Sequence, residues 1–278
     1  MNNFIRQKGL SLIELMIALA IGSLLILGIT QIFIDNKRNY LFQRSQVNVL
    51  ENGRYAELLL NEYLAKAGYR RAPDDYPEYA FPARASNSDC LAFTAGSAIT
   101  ATADKQGVCV RYHPLVSGEP DCLGSATTAF TDTKPFTSPA SSSIVTLSIK
   151  YVPGATLDTG TIACKNVDTG ASGSLLSNVA DFRLEFGLGA NSSSRELIST
   201  GDRFVSASSW SVTDGPIRAV RYSLLLASPP NQRDGDSQIF TNWLANSSGA
   251  TKTRLETGDQ NRLYHIAGST RAVRNLMP

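Results

Sequence analysis

Glu14 is the residue whose placement most demands a chemical explanation. It stands near the start of an otherwise apolar run that continues to Ile34, shortly after Gly9 and a leader ending Arg6-Gln7-Lys8. About 20 helical residues at about 1.5 Å each cross the hydrocarbon core of a bilayer, so the run is long enough to span one. A carboxylate inside such a run costs free energy unless something pairs with it, and an ionisable group there points to function. A second chemical set is formed by Cys90, Cys109, Cys122 and Cys164. None belongs to a Cys-x-x-Cys pair, and the only histidines, His113 and His265, are far apart in sequence, which argues against zinc. An even cysteine count in an oxidising compartment suits two disulfides, with three connectivities open.

Arg6 and Lys8 place the leader in the cytoplasm by the positive-inside rule, and the rest of the chain is then exported. A removed secretory signal peptide shares the basic start, and Ala18-Leu19-Ala20 imitates its cleavage site. That triplet lies inside the apolar run rather than after it. A plain signal anchor explains the length but neither Glu14 nor Gly9.

Other chemistry is sparse. No Gly-x-Ser-x-Gly elbow surrounds a serine, and two histidines leave few candidates for a triad, so the chain is not expected to be an enzyme or to hold a cofactor. Asn231 to Asp236 (NQRDGD) hints at calcium but lacks the full EF-hand loop and its terminal Glu, and a turn is expected. The full chain carries a net charge of +2, which the leader's Arg6 and Lys8 supply, so the remainder is neutral. Arg254, Arg262, Arg271 and Arg274 form a loose basic cluster, interrupted by Glu256 and Asp259. Such charges read as a solvated face, and nucleic-acid binding is not expected.

The elements that position these groups begin with one long helix. No proline occurs between Met1 and Ala72, and helical character extends from about Leu10 to Ala67. That length is about 58 residues and about 87 Å. Val49, Gly53, Ala56, Leu60, Leu64 and Ala67 recur at spacings of three and four as one small-to-apolar stripe. Glu62 and Lys66 stand in the favourable order for a helical ion pair, Gly68 supplies a stop, and Pro73 forbids easy continuation. Gly22 and Gly28 interrupt the apolar half, consistent with close packing in a membrane or with local softening on leaving it.

Arg71 to Pro82 reads as an exit loop into a head of about 200 residues, enough for one domain with its own core. Alternation predicts strands around Val108, Val110 and Tyr112, around Val145, Leu147, Ile149 and Tyr151, and around Phe182, Leu184, Phe186 and Leu188. The strongest runs from Ile217 to Ala227. Turn chemistry marks Ser138-Pro139, Gly189 to Ser194, Pro229-Pro230 and Asp234-Gly235. The expected fold is α+β, with the distal half of the helix packed on a mainly antiparallel head.

The stretch Gly9-Leu10-Ser11-Leu12-Ile13-Glu14 resembles the type IV prepilin signature, with Leu10 where Phe is commoner. Val49 to Ala56 (VLENGRYA), Ala67-Gly68-Tyr69 and Asp121-Cys122-Leu123-Gly124 are similar to segments of PilW-type minor pilins. Leu175 to Gly187, Ile217 to Ser228 and Ser269 to Asn275 resemble that family too. The resemblance implies a leader over 1–9, a long helix over 10–69 with 10–34 in the membrane, and a periplasmic β-rich head over 70–278. It implies cleavage by a prepilin peptidase between Gly9 and Leu10, N-methylation of Leu10, and pairing of Glu14 with a terminal amine between subunits. Its cysteine pattern implies that Cys122 partners Cys164, which leaves Cys90 for Cys109. The implied role is a minor pilin that primes type IV pilus assembly and sits at or near the tip. Its implied partners are other minor pilins, the major pilin, the inner-membrane assembly platform and a tip adhesin. It would reside in the bacterial inner membrane before assembly and in the pilus afterwards. A minor pseudopilin of a type II secretion system, with the same leader, helix and β-rich head, is the nearest alternative, and a DNA-uptake pilin a further one.

Overall fold

The computed structural model describes residues 11–130, 144–189 and 203–276. It divides into two compact units, Met1–Ser45 and Gln46–Pro278, and helix α1 (Leu12–Lys66, 55 residues) contributes to both. Glu14 in its first turn and Lys66 in its last turn both complement the helix dipole. In the first unit the large apolar side chains are exposed, Leu24 at 70% for example. The few hydroxyls there bond back to the helix: Ser23 Oγ donates to the Ala20 carbonyl at 2.8 Å, and Thr30 Oγ1 to that of Ile26 at 2.7 Å. Internal satisfaction of this kind lets polar residues lie in lipid.

In the second unit the helix has a definite inner face. Val49, Gly53, Ala56, Leu60, Leu64 and Ala67 are all buried, as the stripe predicted. Regular helix stops at Lys66, short of the expected boundary at 69, because Gly68 turns the chain at φ +75°. Its N–H donates to the Arg111 carbonyl at 2.8 Å, which ties the helix end to the head.

The exit segment contains a one-turn helix, α2 (Pro77–Ala80), where an irregular loop was expected. Proline at the first helical position, where no N–H partner is needed, permits it. Five antiparallel strands follow in sequential order: β1 (Ile99–Ala101), β2 (Gly107–Tyr112), β3 (Val145–Val152), β4 (Thr161–Asn166) and β5 (Ser172–Leu176). A second antiparallel sheet combines β6 (Val179–Leu188), β7 (Phe204–Ser206), β8 (Ile217–Ala227) and β9 (Tyr264–Ala272) in the order β7-β6-β8-β9. The four strands predicted by alternation are β2, β3, β6 and β8. Ser138-Pro139 and residues 190–194 lie outside the described residues, as do Gly9 and Leu10.

One apolar core joins the inner face of α1 to both sheets, with Leu60, Val110, Ile149, Phe186 and Leu224 among its members. A second, smaller core lies around α3 (Gln238–Ala245) and α4 (Gly249–Gly258), two helices between β8 and β9 that alternation did not predict. Leu225 and Ala227 of β8 meet Phe240, Trp243 and Leu255 there. Arg183, which alternation placed on a polar outer face of β6, lies with its guanidinium 3.9 Å from the Trp243 ring centroid. The outer face is thus covered at Arg183, while Glu185 further along it keeps 40% of its side chain exposed.

Candidate functional site

Glu14 is exposed at the start of α1, among Leu12, Ile13, Leu15 and Met16. Among the described residues nothing pairs with its carboxylate. The described residues therefore leave an acid in apolar surroundings without a counterion. Gly22 and Gly28 have no atom within 4 Å of the position a Cβ would take, so the described chain does not use the space they leave. The apolar stretch is long enough to cross a membrane, and it ends at a polar boundary where Gln31 Nε2 donates to Asp35 Oδ1 at 3.2 Å.

The distal half of α1 is held by a polar seam beside its apolar stripe. Tyr222 Oη of β8 donates to Asn61 Oδ1 at 3.1 Å and to the Glu57 carbonyl at 3.3 Å. Burial, reinforced by the negative charge of Glu57, pushes its pKa up to about 12, so the hydroxyl remains a donor at neutral pH. From β9, the Gly268 N–H donates to Glu57 Oε1 at 3.1 Å, and Arg271 Nε donates to Asn61 Oδ1 at 2.8 Å. Gly53 lets the strand approach, since a Cβ there would lie 2.7 Å from His265 Cδ2. Lys66 pairs with Glu62 at 3.4 Å, as the spacing predicted, and with Glu119 at 3.1 Å, a partner that only the fold brings near. Burial opposes the Lys66 charge, but Glu119 and Glu62 outweigh it and raise the pKa.

Both disulfides occur with the connectivity that the resemblance implied. Cys90–Cys109 and Cys122–Cys164 have Cα separations of 6.0 and 6.4 Å, within the range a disulfide spans. Asp121 shows why its short motif takes this form. Asp121 Oδ1 accepts from the N–H groups of Leu123 at 2.9 Å and Ser125 at 3.1 Å, while Oδ2 accepts from Asn166 Nδ2 at 2.8 Å. Gly124 completes the turn at φ +77°. The side chain thus builds the turn and, with Cys122, fastens it to β4.

Two further sequence sets resolve differently. The basic cluster is not a common face. Arg262 is buried, donating to the Ser228 carbonyl at 2.7 Å and pairing with Asp158 at 2.8 Å. Arg254 is spent on Asp181 at 3.1 Å. In Asn231 to Asp236 the backbone folds against Gln260 and Asn261, and Arg233 Nη2 donates to both carboxylate oxygens of Asp259, at 2.9 and 2.7 Å. An arginine committed this way suits a bend better than a cation site.

Residues 5–30 match the prokaryotic N-terminal methylation motif. The chain is type IV prepilin-like at its N-terminus. Among solved structures, a type IV-like pilin from Thermus thermophilus aligns at a TM-score of 0.41 and 13% identity, over 83% of this chain and 100% of that one. No curated protein matches the sequence. The methylation motif contains both Gly9 and Glu14, and the apolar helix that follows fits anchoring in a membrane.

Proposed function

We propose that this chain is a PilW-type minor pilin, a structural subunit rather than an enzyme, which helps prime type IV pilus assembly and lies at or near the tip. The observation that carries the reading is the exposed Glu14 carboxylate at the start of an apolar helix, inside the methylation motif. Cleavage by a prepilin peptidase after Gly9 would leave Leu10 with an α-amine that is mostly protonated at neutral pH, and N-methylation keeps its charge. Glu14 lies about 6 Å along the helix from that amine. On docking, the carboxylate of one subunit meets a terminal amine of another in a poorly hydrated core. At 4 Å and an effective dielectric of 20 the attraction is about 4 kcal/mol before desolvation is subtracted. The pair therefore acts chiefly on register, admitting helices whose charges match in spacing.

The chain waits in the inner membrane with its head in the periplasm and joins other minor pilins, the major pilin and a tip adhesin through the assembly platform. The helices α3 and α4 enlarge the head beyond its two sheets, and such bulk suits a tip better than a closely stacked shaft. Cross-linking in envelope preparations, followed by identification of the captured proteins, tests the reading. Minor pilins and assembly-platform proteins are expected. Capture of secretion pseudopilins in their place would assign the chain to a type II secretion system.

A further inference from the structure

Arg111 of β2 is 2% exposed, yet its charge has no carboxylate partner among the described residues. Its guanidinium donates to the Pro82 carbonyl at 2.7 Å and to that of Ser97. It lies 4.2 Å from the Phe93 ring centroid and 5.6 Å from that of Phe81. All four partners are neutral, and Nε has no hydrogen-bond partner among the described residues. Burial and the like charge of Arg84 outweigh the opposing charge of Asp168 and push the pKa down to about 10, which still leaves the group positive at neutral pH. The Asp168 carboxylate in the same cavity offsets only part of this charge, and a further anion beside it relieves the remaining cost.

There is room for one. Arg111 lines a cavity of roughly 310 Å³, together with Arg84, Thr127, Thr146, Asn166 and Asp168. Arg84 Nη1 donates to Asp168 Oδ1 and Thr146 Oγ1, each at 2.8 Å, and Asp168 Oδ2 accepts from the Thr146 N–H at 2.7 Å. The Arg84 side chain is 35% exposed, so a solute can reach it. Two guanidinium groups against one carboxylate leave the cavity with one positive charge in excess.

We propose that this cavity binds a small hydroxylated carboxylate, such as a single uronate unit of an acidic polysaccharide, with its carboxylate facing Arg111 and Arg84. The volume is at the lower end of small-molecule pockets, which suits one sugar ring and not a chain. A planar carboxylate matches the guanidinium fork, and the Thr127 hydroxyl, which has no hydrogen-bond partner among the described residues, and the Asp168 carboxylate offer partners for ring hydroxyls. A phosphate meets the excess charge, but its second negative charge would face Asp168.

The test uses the full-length chain in detergent micelles, titrated with galacturonate, galactose and inorganic phosphate by heteronuclear NMR. Galacturonate is expected to saturate, moving the amides of Thr127, Thr146 and Asn166, with galactose and phosphate each about tenfold weaker. Arg84→Gln should weaken galacturonate by about tenfold, and Arg84→Lys, which keeps the charge but loses the fork, should weaken it less. Absence of saturation, shifts confined to other regions, equal binding of galactose or phosphate, or an unaffected Arg84→Gln would each overturn the assignment.

Discussion

Asn275 closes the end of the long helix: its carboxamide donates to the carbonyl oxygens of Ala65 at 2.8 Å and Ala67 at 3.0 Å. The last turn of a helix leaves carbonyls without intrahelical partners, and here the C-terminal segment supplies one. Leu276 adds an apolar contact, since its Cγ lies 2.7 Å from where a Cβ on Gly68 would stand. The distal half of α1 is thus seated by residues more than 200 positions away in the chain.

Asn275→Ala should therefore lower stability by about 1 kcal/mol, the net value of a hydrogen bond of this kind. For a domain of this size that is a fall of about 2–4 °C in melting temperature. Calorimetry on the full chain checks it, and an unchanged melting temperature would remove Asn275 from the seat.

Loss of the disulfides should cost more. In the chain-entropy account the sequence separations of 19 and 42 residues correspond to about 3 and about 4 kcal/mol. Peptide mapping under non-reducing conditions should recover Cys90–Cys109 and Cys122–Cys164. Replacing Cys122 and Cys164 together by serine should destabilise more than replacing the other pair. Free thiols in the native protein would contradict export to an oxidising compartment.

His113 predicts an acid-sensitive exit segment. Its Nδ1 accepts from the Arg71 N–H at 3.4 Å and its Nε2 meets the Ala80 carbonyl at 3.1 Å, an arrangement that requires the neutral ring. Burial lowers its pKa, with Arg70 and Arg111 adding to the effect and Ala80 and Asp75 opposing it. An unfolded histidine titrates near 6.5. The stability that the neutral ring contributes is fully present above that value. It is lost as the pH falls from there toward the lower folded value, by at most about 1.4 kcal/mol per pH unit. Denaturant unfolding from pH 7.5 to 5 should show this dependence in the wild type and less of it in His113→Gln. Equal slopes would place the acid sensitivity elsewhere.

The outcome of reading strands and helices from sequence follows the strength of periodicity. Val49 to Ala67 gave a stripe because one helix face is buried along its whole length, and β8 gave alternation because Val220, Tyr222 and Leu224 share the core face. Neither signal exists for β9, where His265, Ser269 and Arg271 interrupt any apolar period, although the strand is fixed by pairing with β8. Helix α4 has a single buried apolar residue, Leu255, so its packing is decided by tertiary context. Helix α3 does carry a helical signal, since Ile239, Phe240, Trp243 and Leu244 have helical spacing, but the segment is short and flanked by turn residues. Arg111 could not be recognised as buried, because alternation assigns it an outward position and the second covered face of β2 comes from distant segments.

At the N-terminus, Gly9→Val should block leader removal, because the peptidase must approach the backbone closely there. The unprocessed chain should accumulate in the membrane at its full length. Mature-size protein from this variant, seen by mass spectrometry of the N-terminal peptide, would contradict cleavage after Gly9.

Pilus yield and recovery of partner pilins from wild type, Glu14→Asp and Glu14→Ala decide whether Glu14 serves assembly or only anchoring. Removing the acid makes the helix more apolar and leaves Gly9 untouched, so processing and insertion should persist in both variants. Yield and co-purification should nevertheless fall from wild type through Glu14→Asp, which keeps the charge on a shorter side chain, to Glu14→Ala. Equal yield and equal partner recovery from wild type and Glu14→Ala would leave Glu14 without a role in assembly.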